Sequence, residues 1–210
     1  MNILKSLRIF APIAAIALLM VCCKSRNGER IFTPAELAII NDTLAPIMKI
    51  YVVTDSGDST LLRQQTTELS NGEISSQAYS TLCARMVKTV TDSTVDGVGL
   101  AGPQVGILRR VVAVQRYDKE GYPFEVYANI YIKEYSQTTI SRKEGCLSVP
   151  SESLTEEQKA NEVVRAEWVI ISYTHPETLQ TVQDTVKGFT ARIFQHETDH
   201  LDGILYTDRF

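Results

Sequence analysis

Ile9 to Val21 is an uncharged run of 13 residues, preceded by Lys5 and Arg8 and followed at once by Cys22 and Cys23. It is shorter than the ~20 apolar residues that span a bilayer comfortably. A basic start followed by a short apolar stretch reads instead as a secretory signal. Residues 24–31 are mostly polar and read as a tether. Thr33-Pro34-Ala35-Glu36 has the form of a capping box with proline at the first helical position, so a helix starts there. Residues 54–60, Thr-Asp-Ser-Gly-Asp-Ser-Thr, read as a loop from their turn chemistry. Tyr79, Leu82, Cys83, Met86, Val87 and Val90 recur at helical spacing and predict an amphipathic helix over about 75–91. Cys83 falls on its apolar stripe and is expected to be a core thiol.

The pattern then changes to β-branched and aromatic runs. Val111 to Val114, Phe124 to Tyr127, Ile130 to Ile132 and Trp168 to Tyr173 are predicted strands. Asp118-Lys119-Glu120-Gly121 supplies a turn between the first two. Ser151 to Glu162 is rich in Glu and poor in apolar residues, and reads as a solvated loop. A last helix begins near Gly188, carries Ile193, Phe194, His196, Glu197 and His200, and is ended by Gly203. With no internal repeat, this is one α+β domain.

Composition narrows the class. The 210 residues, 44% of them hydrophobic, suit an ordinary core and exclude collagen-like, low-complexity and wholly disordered chains. A net charge of −4 argues against nonspecific nucleic-acid binding. Cleavage before Cys23 would remove Lys5 and Arg8 and take that charge from −4 to −6. Four cysteines are too few for a disulfide scaffold. Cys22 and Cys23 resemble a bacterial lipoprotein cleavage site, although Leu-Met-Val lacks the usual small residue, so either cysteine is a candidate for lipidation. The expected location is the cell envelope, with the chain anchored by lipid; a misassigned start would make it cytoplasmic.

The sharpest chemistry is in Gln195-His196-Glu197-Thr198-Asp199-His200. On a helix, His196 and His200 lie one turn apart on one face and can reach a single metal ion, with Glu197 beside them. A shuffled chain would show this pattern roughly once in 500 trials, so the metal reading prevails. A catalytic site of this kind takes a third protein ligand. Asp202 and Asp208, downstream, do not lie on a continuing helix, so the third ligand is expected upstream. Cys146, in Glu144-Gly145-Cys146-Leu147-Ser148, is the leading candidate, since a metal would hold its thiolate. His175, before Pro176, reads as an exposed loop histidine.

Gly97-Val98-Gly99-Leu100-Ala101-Gly102-Pro103-Gln104, Glu144 to Ser148 and Gln195 to Leu201 resemble, in order, the three motifs of peptide deformylases, over about residues 50–208. The resemblance implies antiparallel or mixed sheets packed around a central metal-binding helix. It implies a hydrolase that removes the formyl group from N-formylmethionyl peptides, with Cys146, His196 and His200 as ligands and Glu197 as general base. Gln104 and the Leu147 N–H would stabilise the oxyanion. Val98, Gly99 and Leu100 would contact the peptide, with Gly97 and Gly99 letting the chain pass close to it. The implied cofactor is one iron(II); zinc, nickel or cobalt would also suit this ligand set. The protein is expected to act as a monomer. The chain then divides into a signal at 1–23, a tether and helix at 24–49, and a catalytic domain at 50–210.

Arg192, four residues before His196, is predicted to pair with Glu144 and tie the two ligand-bearing segments together. Some positions depart from the family pattern. Gly102 stands where alanine is usual, a mild change on sequence grounds, and Asn129-Ile130 replaces Asn-Pro. The stretch after Pro150 is longer and more acidic, and the helix at 33–41 has no counterpart. The competing reading is an inactive envelope protein of the same fold that binds peptide or metal, though a pure binder has no need of Glu197. A protease for ordinary peptide bonds is disfavoured by the cysteine ligand.

Overall fold

The computed structural model describes residues 31–210. The signal, Cys22, Cys23 and the tether up to residue 30 lie outside the described residues. Helix α1 (Pro34–Ile40) begins at the capping box: Thr33 Oγ1 accepts from Glu36 N–H (3.2 Å), and a Glu36 carboxylate oxygen accepts from Thr33 N–H (2.7 Å). Residues 54–60 are not a loop. Asp55 accepts from the Gly57 and Asp58 N–H groups, each 2.9 Å, and so caps α2 (Ser56–Leu62). The same Ser/Asp chemistry that favours turns also favours N-caps. A short α3 (Asn71–Ile74), starting at a Ser70/Glu73 capping box, leads into α4 (Gln77–Val90), capped by Ser76.

The strands are β1 (Gly99–Ala101), β2 (Val111–Gln115), β3 (Phe124–Tyr135), β4 (Thr139–Arg142), β5 (Val163–Ala166), β6 (Trp168–Thr174) and β7 (Thr181–Lys187). They form a five-stranded sheet in the order β1-β2-β3-β6-β7 and a two-stranded sheet of β4 and β5, with every strand pair antiparallel. The two predicted strands at 124–132 are one, β3, whose register shifts between Ala128 and Tyr131. Asn129 sits at that irregularity with φ of 52°, and its amide brackets Leu69 by accepting from its N–H (2.7 Å) and donating to its carbonyl (2.9 Å). Ser151–Glu162 is also more ordered than expected. Thr155 and Gln158 form a capping box that starts α5 (Glu156–Ala160).

Helix α6 (Gly188–Leu201) is buried along nearly its whole length, and stops at Gly203, whose φ of 74° a side chain would resist. One core cluster packs Leu82, Met86 and Val90 of α4 against Leu100, Val111 and Ala113; Ile40 of α1 and Phe32 just before that helix join it. A second cluster packs Ile193, Phe194 and Leu201 of α6 against Val112, Val114 and Ile171 on the other face of the sheet. Strand alternation in β2 produces this division. Cys83 lies half-buried against the first cluster, and burial pushes its thiol up to about 11.

Candidate metal centre

Two candidate ligands come from α6. His196 and His200 are one turn apart, with ring centroids separated by 5.0 Å. The third comes from a turn at Cys146–Val149, closed by the Val149 N–H donating to the Cys146 carbonyl (3.1 Å). It brings Cys146 Sγ to 3.2 Å from His200 Nε2. One ligand atom from each of Cys146, His196 and His200 lies within 4.8 Å of the others. That is close to the separation imposed by two bonds of about 2.0–2.3 Å to one ion. A soft thiolate with two imidazoles is a donor set for a divalent transition metal. His175 takes no part; it is half-buried rather than exposed, and its Nδ1 accepts from the Glu177 and Thr178 N–H groups.

The ring of His196 is held from behind. Its Nδ1 lies 2.9 Å from Glu144 Oε2, leaving Nε2 for the site. Glu144 pairs with Arg192 (2.6 Å), as the spacing to His196 predicts, and also with Arg165 through two bonds of 2.9 Å. Burial alone would raise the Glu144 carboxyl, but hydrogen bonds from His196 and Arg165 hold it well below the usual carboxylate range. Arg165 reaches on to Asp199 (2.6 Å), which also binds Arg209. Arg165, Asp199 and Arg209 were not legible in the sequence. They meet only because β5, α6 and the C-terminal 3-10 turn pack together.

Gln104 is oriented by its own backbone neighbourhood. Its Oε1 accepts from Ala101 N–H (2.8 Å), so Nε2 points to Ser148 Oγ (3.2 Å) and towards Cys146 Sγ (3.7 Å). Among the described residues the Leu147 N–H makes no hydrogen bond. A segment the sequence did not flag, Tyr51–Val53, pins both pieces: Tyr51 N–H donates to Gln104 O (2.8 Å) and Val53 N–H to Ser148 O (2.9 Å).

Glu197 is buried beside the ligands, and its Oε2 has no hydrogen-bond partner among the described residues. Burial pushes its carboxyl up to about 7; His196 pulls it down and Glu144 pushes it further up. The pieces fit a metal centre with an acid–base group at its side. A cavity of 430 Å³ opens onto it, lined by Val98, Gly99, Gln104, Cys146, His196 and Glu197 among others. Leu100 does not line it; its side chain is fully buried in the core.

Gly102 is not interchangeable with alanine here. A Cβ at that position would lie 2.6 Å from the Ile107 carbonyl oxygen and 2.8 Å from that of Arg109. The departure at 102 is therefore matched to a close backbone approach, and the sequence-level description of it as mild does not hold.

The family model for polypeptide deformylase matches residues 47–210. The chain belongs to that family. The peptide deformylase of Leptospira biflexa serovar Patoc is 34% identical over 156 residues, 71% of this chain and 82% of that protein. Peptide deformylase 1 of Bacillus subtilis is 39% identical over 115 residues, 55% of this chain and 65% of that one. Among solved structures, the actinonin-bound class I type b peptide deformylase of Acinetobacter baumannii matches with a TM-score of 0.65 and 31% identity, covering 79% of this chain and 99% of that chain. The peptide deformylase of Thermotoga maritima matches with a TM-score of 0.64 and 30% identity, covering 78% and 97%. The protein is thus a metal-dependent hydrolase that removes the N-formyl group from formylmethionyl peptides. Helix α1 of this deformylase precedes the matched residues yet sits in the same core.

Proposed function

We propose that Cys146, His196 and His200 hold the deformylase metal, that this metal is iron(II), and that the enzyme works as a lipid-anchored monomer in the cell envelope on formylated peptides reaching it. The observation that carries the ligand assignment is the convergence of the three donor atoms within 4.8 Å, beside a buried carboxylate with an unpartnered oxygen. When bound, the ion supplies Lewis-acid activation of water and of the formyl oxygen.

The chain's own residues do the rest. The peptide lies along the open edge of β1, taking its backbone contacts from Val98 and Gly99; Leu100 contributes through its backbone alone. Glu197 takes a proton from the attacking water as oxygen bonds to the formyl carbon. The C–N bond then breaks, and Glu197 returns the proton to the leaving amine, yielding formate and a free methionyl peptide. Gln104 Nε2 and the Leu147 N–H donate to the formyl oxygen as it gains negative charge. Gln104→Leu should lower kcat about 10²–10³-fold without loss of metal.

The envelope reading rests on Lys5, Arg8, the apolar run Ile9–Val21 and the cysteine pair. Labelled fatty acid should enter the protein and be lost from either Cys22→Ala or Cys23→Ala; a soluble, unlabelled protein would overturn the lipid anchor. Metal analysis of protein purified without oxygen tests the iron(II) assignment against zinc, nickel and cobalt.

A further inference from the structure

The cavity at the metal centre adjoins another. Phe189 and Arg192 line it and also line a smaller cavity of 110 Å³, shared with Ile140, Arg142, Ala166 and Gly188. Phe189 is half exposed and rests on Tyr117, with ring centroids 5.1 Å apart. Arg192 is committed to Glu144 and to the Val163 and Ile140 carbonyls. Arg142 and Lys143 are not committed. Both are exposed, and among the described residues neither side chain has a hydrogen-bond or ion-pair partner.

Other charges lie nearby: Lys187 directly precedes Gly188, and the Glu167 carbonyl accepts from the Gly188 N–H (2.8 Å). Glu144 is neutralised by Arg165 and Arg192, Glu197 is buried at the reacting centre, and Asp96 lines the larger cavity from the segment before β1. The smaller cavity therefore has an apolar wall and a free guanidinium. Arg142 ends β4, four residues before Cys146, so the two Cα atoms lie no more than about 14 Å apart. A peptide beside this segment advances ~3.3 Å per residue, so Arg142 lies within reach of a group up to about four residues past the scissile amide.

We infer that Arg142, with Lys143 beside it, binds the C-terminal carboxylate of a short formylated peptide, while Ile140, Ala166 and Phe189 seat the apolar side chain of its last residue. The inference rests on the assignment of the reacting centre to Cys146, His196 and His200. A guanidinium pairs with a carboxylate through two parallel hydrogen bonds, a match that an amide end cannot make. The substrate class is thus free short peptides rather than the growing end of a long chain.

The test compares formyl-Met-Ala-Leu with its C-terminal amide on metal-loaded, full-length protein in detergent. In the wild type kcat/KM for the acid should exceed that for the amide by about tenfold, the size of one charge-assisted contact. Arg142→Gln should bring the ratio close to one, Arg142→Lys should keep part of it, and Lys88→Gln, which removes an exposed charge on α4 that lines neither cavity, should keep all of it. Equal rates for acid and amide in the wild type, or an unchanged ratio in Arg142→Gln, would overturn the inference. No turnover of either peptide would count against the reacting centre instead. Calorimetric binding of Met-Ala-Leu and its amide then decides the subsite separately: tighter binding of the acid supports it and equal affinity refutes it.

Discussion

Gly99 and Glu197 occupy one space. A Cβ on residue 99 would collide with Glu197 Oε1 and lie 2.8 Å from both Glu197 Cδ and Ile193 Cγ2. The sequence suggests that this glycine admits the substrate backbone; the structure shows that it makes room for the Glu197 carboxylate. The open edge of β1 and helix α6 approach each other here only because residue 99 has no side chain.

Gly99→Ala should displace Glu197 from the attacking water. A lost general base lowers turnover by about 10²-fold or more, with metal content unchanged because Glu197 is not one of the proposed ligands. Formate release and metal analysis on the same sample check this. Full turnover would mean that Glu197 can move aside and still work.

Glu144→Gln should weaken metal binding about 10–100-fold, since Glu144 orients the ring of His196 through Nδ1. It also leaves Arg165 and Arg192 buried without their shared carboxylate, a change that costs about 3–5 kcal/mol when the ions are fully desolvated. Arg192→Gln should act in the same direction but less, because Arg165 still holds Glu144. Competition with a chelator measures both, and unchanged affinity in both variants would rule out the bridging role.

Gly102→Ala should destabilise the fold by about 1–3 kcal/mol, as overpacking against fixed backbone does. The 3-10 turn at Gly102–Val105 carries Gln104, so kcat should fall as well. Urea unfolding of the variant reports the first effect. An unchanged midpoint would show that the carbonyls of Ile107 and Arg109 yield freely.

The metal site was largely legible because its chemistry is local. Two histidines one turn apart, a cysteine in a glycine-containing turn and an arginine at helical spacing from His196 can each be read within a few residues. The supporting contacts were not, since Arg165 meets Glu144 across 21 residues and Tyr51 meets Gln104 across 53 only after folding. The helices missed, α2, α3 and α5, are short and polar, and their caps use the same Asp, Ser and Thr that mark loops. Strands β4, β5 and β7 escaped notice because their mostly exposed or mixed positions lack a strong apolar run.

Helix α1 gives the fold a pH dependence. Burial would push the Glu36 carboxyl up, but Arg109 and the Thr33 N–H together hold it below its ordinary 4.5. A carboxyl lowered in the folded state stabilises above its unfolded value, and that contribution is lost as pH falls through the folded value. Glu36→Gln should therefore cost about 1–3 kcal/mol at pH 7, and the gap from wild type should close below about pH 4.5. Arg109 keeps Glu73 as a second partner (3.2 Å), which limits the loss. A gap of the same size at pH 3 would contradict this account.

If Glu197 drives hydrolysis of the formyl amide beside a metal held by Cys146, His196 and His200, an amide in its place cannot do the same work. Formate release from a formylmethionyl peptide, measured for wild type and Glu197→Gln at equal metal content, tests it most directly. Wild type should release formate, and the variant at least 10²-fold less. No formate from fully metal-loaded wild type, or undiminished release by Glu197→Gln, would contradict it.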